Sequence, residues 1–245
     1  EVSIMTEKDL KTYRILFPFV YDKKLTKENI RDIVTGPAYK DMTPRNLPGI
    51  GNKDNRPIRD KMLNDVAERF NDYFHSDPLD KDDFNEWHNE TCEHICDIFK
   101  PTSIELKYGK AQKLVNIAFK HFLLFDDANE RYFAYCHTPI DNNVLSWCRD
   151  TAKIDCKPNG WSNMDYDEYI DLQNNIRAFL DKDSSLKYVN NDNQKISNLI
   201  LDFFVWAEYS NTIKEYWDNI KMNYDLYVNM GAAQINEVIK KYVDN

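Results

Sequence analysis

A lysine and an aspartate stand out as residues that could do chemistry together. Lys113 lies in the run from Ser103 to Phe122, with Lys110 and Lys120 on either side. If it faces a cleft, those neighbours and burial both disfavour its charge and lower its pKa. An amine partly neutral near pH 7 is a nucleophile able to form a Schiff base. Downstream by 28 residues, Asp141 ends the stretch His137, Thr138, Pro139, Ile140, Asp141. Pro139 biases Thr138 toward an extended conformation. Asp141 precedes Val144, Leu145 and Cys148, the apolar stripe of a helix that it is placed to cap. The helix dipole favours an ionised carboxylate there, able to stabilise a cation or steer a nucleophile. Each residue also has a plain structural reading, as an exposed helix lysine and a capping aspartate.

The elements that must position these residues read as helices. Apolar residues recur at three- and four-residue intervals over 6–17, 25–35, 58–75, 80–99, 110–125, 140–150, 165–182, 193–210 and 212–243. Alternating runs are short, with a strand fragment conceivable only at Lys187, Tyr188 and Val189. The expectation is an all-α protein, a single two-lobed helical domain over 1–245. Three breaks interrupt the helices: a Pro- and Gly-bearing loop at 35–57, and shorter ones at 100–109 and 151–163. Within 110–125, Lys113, Ile117 and Lys120 share one face, and Leu114, Ala118 and Phe122 share another that suits the core.

Composition removes several function classes. Six glycines in 245 residues leave no dinucleotide fingerprint and no P-loop. No apolar run is long enough for a membrane span, and the first residues lack the apolar core of a signal peptide. A cytoplasmic protein without membrane contact is expected. Five cysteines, an odd number with no CxxC, read as reduced thiols. His88, Cys92 and Cys96 recur at helical spacing with His94 nearby, which reads as a partly buried helix face in preference to a metal site. A net charge of -9 argues against nonspecific binding to polyanions. The distribution differs from the sum. From Asp77 to Asp97 eight acids face one base, whereas from Lys100 to His121 five lysines face one acid. A local basic segment can hold phosphates on an acidic protein.

Ser103 to Lys107 reads as a short helix, Tyr108 and Gly109 as a turn, and the residues beyond as a second helix. Gly109 can adopt positive φ at little cost, and free amides at a helix start can receive a phosphate oxygen. The order of this basic hairpin, the Gln112-Lys113 helix and Pro139-Ile140-Asp141 resembles the helix-hairpin-helix DNA glycosylases. It is most similar to the archaeal 8-oxoguanine glycosylase/lyase branch. There a helix beginning near Gln-Lys carries a Schiff-base lysine with a second lysine seven residues on, as Lys113 and Lys120 are here. A late Asp-x-x-x-Trp lines the base pocket of that branch and is matched by Asp202 and Trp206. The likeness covers about residues 100–150 and 198–208.

The resemblance implies DNA repair by removal of a modified purine, oxidised ones included, from double-stranded DNA, followed by strand cleavage at the abasic site. Lys113 would attack the sugar C1′, and Asp141 would stabilise the oxocarbenium-like state and help move protons. Asp202, Trp206 and Ile117 would line the base pocket. Lys107, Tyr108, Gly109, Lys110 and Lys120 would hold the DNA backbone. No cofactor is required, though hairpin carbonyls could surround a monovalent cation, and a monomer is expected. Two departures accompany the likeness. Ile117 stands where a stacking aromatic is expected, and the usual Leu-Pro-Gly-Val-Gly hairpin is replaced by Leu106 to Lys110. Pro48 to Lys53 has the look of that hairpin but is expected to lack an apolar helix immediately behind it. The alternative function is a non-catalytic helical DNA-binding or protein-interaction module on the same scaffold, with Lys113 as a phosphate contact. Phe203, Phe204, Trp206, Tyr209, Tyr216 and Trp217 fit core packing as well as base stacking.

Overall fold

The computed structural model describes residues 3–156, 160–182, 186–189, 197–209, 220, 222–227, 229–230, 233–235 and 237. Tyr216 and Trp217 lie outside the described residues. The fold is all-α, with one small addition. Strands β1 (Ser3–Thr6) and β2 (Leu186–Val189) pair in parallel, with Ser3 opposite Leu186 and Thr6 opposite Val189.

Among the described residues the helices are α1 (Glu7–Leu16), α2 (Lys27–Ile33), α3 (Tyr39–Asp41), α4 (Arg56–His75), α5 (Lys81–Asp97), α6 (Tyr108–Phe122), α7 (Asn142–Asp150), α8 (Tyr166–Lys182), α9 (Asn198–Tyr209) and α10 (Tyr224–Tyr227). Their starts follow local chemistry. The Thr26 side chain accepts from the Asn29 amide, and Asp80 accepts from the amides of Asp82 and Asp83. Such caps satisfy helix amides that have no partner within the helix. A proline opens α4, where the missing N–H costs nothing.

Helix α6 is the centre of the molecule. It packs against α2, α3, α5, α8, α9 and the turns at Val34–Ala38 and Trp161–Asn163. Every one of its residues is buried except Lys113. A helix surrounded on all sides is expected to be apolar throughout, yet α6 carries Lys110, Gln112, Lys113, Asn116, Lys120 and His121. On one side Phe119 and Phe122 join Phe70, Tyr73, Phe74, Phe84 and Trp87 in an aromatic cluster, with Phe70 and Phe119 centroids 4.9 Å apart. One continuous apolar core runs from Leu10 to Val205.

Two sequence expectations change. Ser103 to Lys107 is not a helix. Ile104 and Leu106 are buried while Ser103, Glu105 and Lys107 are exposed, so the segment is extended and alternates. The expected hairpin there is therefore absent, and Tyr108 and Gly109 are the first residues of α6. The stretch 35–57 is more helical than a loop. A π-turn at Val34–Ala38 accommodates Pro37 and leads into α3, and Val34, Ala38 and Met42 form a buried stripe. Short 3-10 turns follow at Pro44–Asn46 and Lys53–Asn55. The turn at Pro48 to Gly51, with Gly49 at φ 86°, leads through the 3-10 turn at Lys53–Asn55 into the amphipathic helix α4.

Candidate active site

Lys113 and Asp141 meet. Lys113 Nζ lies 3.4 Å from Asp141 Oδ2, and only 12% and 24% of their side-chain surfaces are exposed. The other carboxylate oxygen of Asp141, Oδ1, accepts from the Asn143 and Val144 amides at 2.9 and 3.1 Å and so caps α7. The capping role and the site role belong to different oxygens of one side chain. The capping bonds lock the carboxylate in place and leave Oδ2 to face the amine.

Gln112 sets the position of Asp141 and was visible in the sequence only as the neighbour of Lys113. Its Nε2 donates to the Ile140 carbonyl at 2.9 Å, and its Oε1 accepts from the Ile140 amide at 3.1 Å. This fully buried amide thus treats the residue before Asp141 as a strand partner. Asn116 Nδ2 donates to Gln112 Oε1 at 3.0 Å and to the Tyr169 hydroxyl at 2.8 Å, and Asn116 Oδ1 pairs with His88 Nε2 at 3.0 Å. His137 reaches the same Tyr169 hydroxyl at 2.9 Å. Burial pushes His88 down to about 4 and His137 well below the usual imidazole range, so both are neutral members of this network.

The Lys113 amine also sits 4.6 Å from the centre of the Trp161 ring, and the Lys110 amine 4.7 Å from the same ring. Gly160, at φ 70°, turns the chain just before Trp161. Gly109 is needed for the approach of this turn to α6. A Cβ there would lie 1.9 Å from the Trp161 carbonyl oxygen. Gly109 is not at positive φ, and its amide donates to the Met164 carbonyl at 3.0 Å, so neither residue nor amide is open to a phosphate.

A cavity of about 710 Å³ opens in front of Lys113. Its lining brings together Lys113, Asp141, Ile117, Asp202 and Trp206, all residues expected at the site. Lys120 lines it too, but in a different role. Its amine and the Asp202 carboxylate form a buried pair at 2.5 Å, with side chains 5% and 7% exposed. Burial pushes the Asp202 carboxyl up and Lys120 opposes that shift. Rings of Trp206, Phe203 and Phe17 surround the Lys120 amine at 4.8, 5.0 and 5.6 Å.

The remaining backbone contacts expected along 107–120 are corrected as well. Lys110 is buried, its amine donating to the Met42 and Thr43 carbonyls at 3.0 and 3.1 Å and to the Thr43 hydroxyl. It holds Thr43 in the left-handed conformation at φ 55°. Tyr108 is buried, its hydroxyl 3.3 Å from His88 Nδ1. Lys107 alone keeps an exposed amine, 3.4 Å from Glu105. Burial, invisible to a count of lysines, decides this: the basic segment is mostly interior.

Site residues that the sequence did not single out come from 17, 40–45 and 121. Phe17 stacks on Trp206 with centroids 5.2 Å apart and planes at 21°. Lys40 and Arg45 are exposed at the cavity wall. Asp41 is open to the cavity yet closely walled, and that desolvation raises its carboxyl against the pull of Lys120 and Lys113. The buried stripe of Val34, Ala38 and Met42 was the available signal that this segment packs on α6. A second concavity of about 850 Å³ adjoins the first through Thr43, Lys113, Asp141 and Asn143, and reaches Lys107 and Trp161. Among the described residues no group of three or more His, Cys, Asp or Glu side chains could hold a metal, and no helix is long and apolar enough to cross a membrane. No protein-family model, curated protein or solved structure matches this chain.

Proposed function

We propose that the protein is a DNA glycosylase with abasic-site lyase activity, acting on a modified purine through a Schiff base on Lys113. The observation that carries this reading is the 3.4 Å approach of the Lys113 amine to Asp141 in a cavity whose wall holds Ile117, Trp206 and Asp202. A cavity of about 710 Å³ lies in the range of small-molecule sites and admits an extruded nucleoside. Extrusion is required because the glycosidic bond is hidden in the stacked duplex.

In the free-amine form, the Lys113 nitrogen attacks C1′ and forms an N–C1′ bond. The glycosidic bond breaks, and its electron pair leaves with the base, which takes up a proton. Asp141 Oδ2 faces the positive charge that develops at the sugar, takes the proton the nitrogen sheds, and returns it to the ring oxygen as the C1′–O bond breaks and the iminium forms. Loss of a C2′ proton then expels the 3′-phosphate and cuts the strand. Lys40 and Arg45, exposed at the cavity wall, supply phosphate contacts in place of the buried Lys110 and Lys120. Because the chain as a whole carries a net charge of -9, binding to undamaged DNA is weak and salt-sensitive.

The test is borohydride trapping on duplexes carrying 8-oxoguanine, hypoxanthine or a preformed abasic site. The wild type gives a covalent adduct and Lys113→Gln gives none. Asp141→Asn slows trapping at least tenfold with DNA affinity little changed. Absence of an adduct with every duplex refutes the reading. Weakened binding in Lys113→Gln, without any adduct in the wild type, favours a non-catalytic DNA-binding module.

A further inference from the structure

A base leaving the sugar must take up a proton, and Asp141 does not supply it. The wall of the Lys113 cavity holds three carboxylates, of which two are already engaged. Asp141 Oδ1 accepts from the Asn143 and Val144 amides, and its Oδ2 faces the Lys113 amine. Asp202 is buried against Lys120. Asp41 is the third. It is exposed at the cavity wall, and among the described residues no side chain or amide bonds to its carboxylate.

Asp41 closes the helical run 34–41, three residues after the buried Ala38 and one before the buried Met42. Its side chain therefore leaves the run on the side that packs on α6. The charges that act on it are Lys113 and Lys120 from α6, Asp141 at the start of α7, and Lys40 from its own helix. The last turn of a helix disfavours a negative charge, so the fold gains nothing from an unanswered carboxylate there. The close walls desolvate the carboxyl and raise it above the usual range, against the pull of Lys120 and Lys113. Both effects favour the protonated acid, and its opening to water lets it regain a proton after each turnover. No other group of the wall competes. Lys113 is the nucleophile, and Lys120 is held by Asp202. Lys40 and Arg45 are of types that release a proton far less readily than a carboxyl. The ring nitrogens of His121 are buried.

We infer that Asp41 is the proton donor to the departing base, the free carboxyl of a cavity whose other two carboxylates hold lysines. As the C1′–N9 bond breaks, its electron pair passes to the purine, and the Asp41 proton moves to a ring nitrogen of that purine. The base leaves neutral, and Asp41 is left as a carboxylate that water reprotonates. This inference rests on the glycosylase reading and adds to it the acid that the reaction needs. It divides the work of the two aspartates. Asp141 serves the sugar and the lysine, and Asp41 serves the base. An abasic sugar has no base to protonate, so attack of Lys113 on it does not need Asp41.

The experiment compares the wild type with Asp41→Asn between pH 5 and 8. Single-turnover base release is followed on duplexes carrying 8-oxoguanine or hypoxanthine, cyanoborohydride trapping on a preformed abasic duplex, and thermal unfolding in parallel. General acid catalysis contributes about a hundredfold or more. In Asp41→Asn base release on the better substrate falls by about that factor, abasic-site trapping stays within about twofold, and the unfolding midpoint holds. The ratio of base release to trapping cancels the need of both reactions for a free amine. In the wild type that ratio is highest at low pH, where the carboxyl carries its proton, and falls as pH rises; in Asp41→Asn it is level. Base release unchanged in Asp41→Asn, or both reactions falling together, overturns the inference. So does a wild-type ratio that is level across the range, even with a selective loss in the variant, because Asp41 is then a contact and not a donor. A wild type that traps the abasic duplex but releases neither base overturns it and leaves the lysine chemistry standing. A wild type that reacts with none of the duplexes overturns the glycosylase reading and this inference with it.

Discussion

Removing either partner of the Lys120–Asp202 pair should be among the most destabilising single changes in the protein. The two charges approach to 2.5 Å with side chains only 5% and 7% exposed, which places them in the buried class of ion pair. Exposed pairs contribute about 0–1 kcal/mol. Breaking a buried one costs about 3–5 kcal/mol, because the surviving charge stays desolvated. In Asp202→Leu the orphaned Lys120 ammonium retains the rings of Trp206, Phe203 and Phe17 and the electrostatic pull of Asp41. In Lys120→Met the Asp202 carboxylate is left in the same surroundings. The double variant Lys120→Met/Asp202→Leu removes both charges and replaces them with apolar volume, so it should recover most of either loss. Urea unfolding of the four proteins at pH 7.5 measures the cycle, with an expected coupling of about 3 kcal/mol or more. Single losses below about 1 kcal/mol that simply add would show that the pair is solvated and that the account of α6 as a buried polar helix is wrong.

Three further outcomes follow from the site's architecture. Gln112→Leu strips the Ile140 amide and carbonyl of their partners and should cost about 2–4 kcal/mol, at about 1–3 kcal/mol per buried unpaired group; unchanged urea stability would show that Gln112 does not hold the Asp141 segment. Gly109→Ala places a Cβ against the Trp161 carbonyl and should cost about 1–3 kcal/mol, with altered Trp161 fluorescence as the turn withdraws; a neutral effect would show that the turn packs more loosely. Acid should destabilise the fold. His88 and His121 stay neutral in the folded protein down to about 4 and about 3, whereas unfolded imidazoles protonate below about 6.5. Stability is therefore level above pH 6.5 and falls as pH drops below it, by about 2 kcal/mol per such histidine at pH 5. The raised carboxyls of Asp41 and Asp202 act in the opposite direction. A urea midpoint equal at pH 7.5 and 5.0 would contradict the burial of these imidazoles.

Much of the helical order could be read from spacing, because long amphipathic runs such as 58–75 and 165–182 satisfy one periodicity throughout. The extended segment before α6 was also written in the sequence. Ile104, Leu106 and Tyr108 alternate with Ser103, Glu105 and Lys107, a period-two pattern that a search for a helical hairpin passes over. The stripe of Val34, Ala38 and Met42 was masked by Pro37, which a π-turn tolerates where a regular helix would not. The meeting of Lys113 with Asp141 was legible as a spacing of motifs. The interior position of Lys110 and Lys120 was not, since the carbonyls of Met42 and Thr43 and the carboxylate of Asp202 come from segments distant in sequence.

The central claim is that the Lys113 amine is the nucleophile of this cavity. Borohydride reduction of the protein with a duplex carrying an abasic site, followed by protease digestion and mass mapping of the cross-linked peptide, tests it directly. The account predicts a single adduct on Lys113. An adduct on another lysine, or none at all, would contradict it.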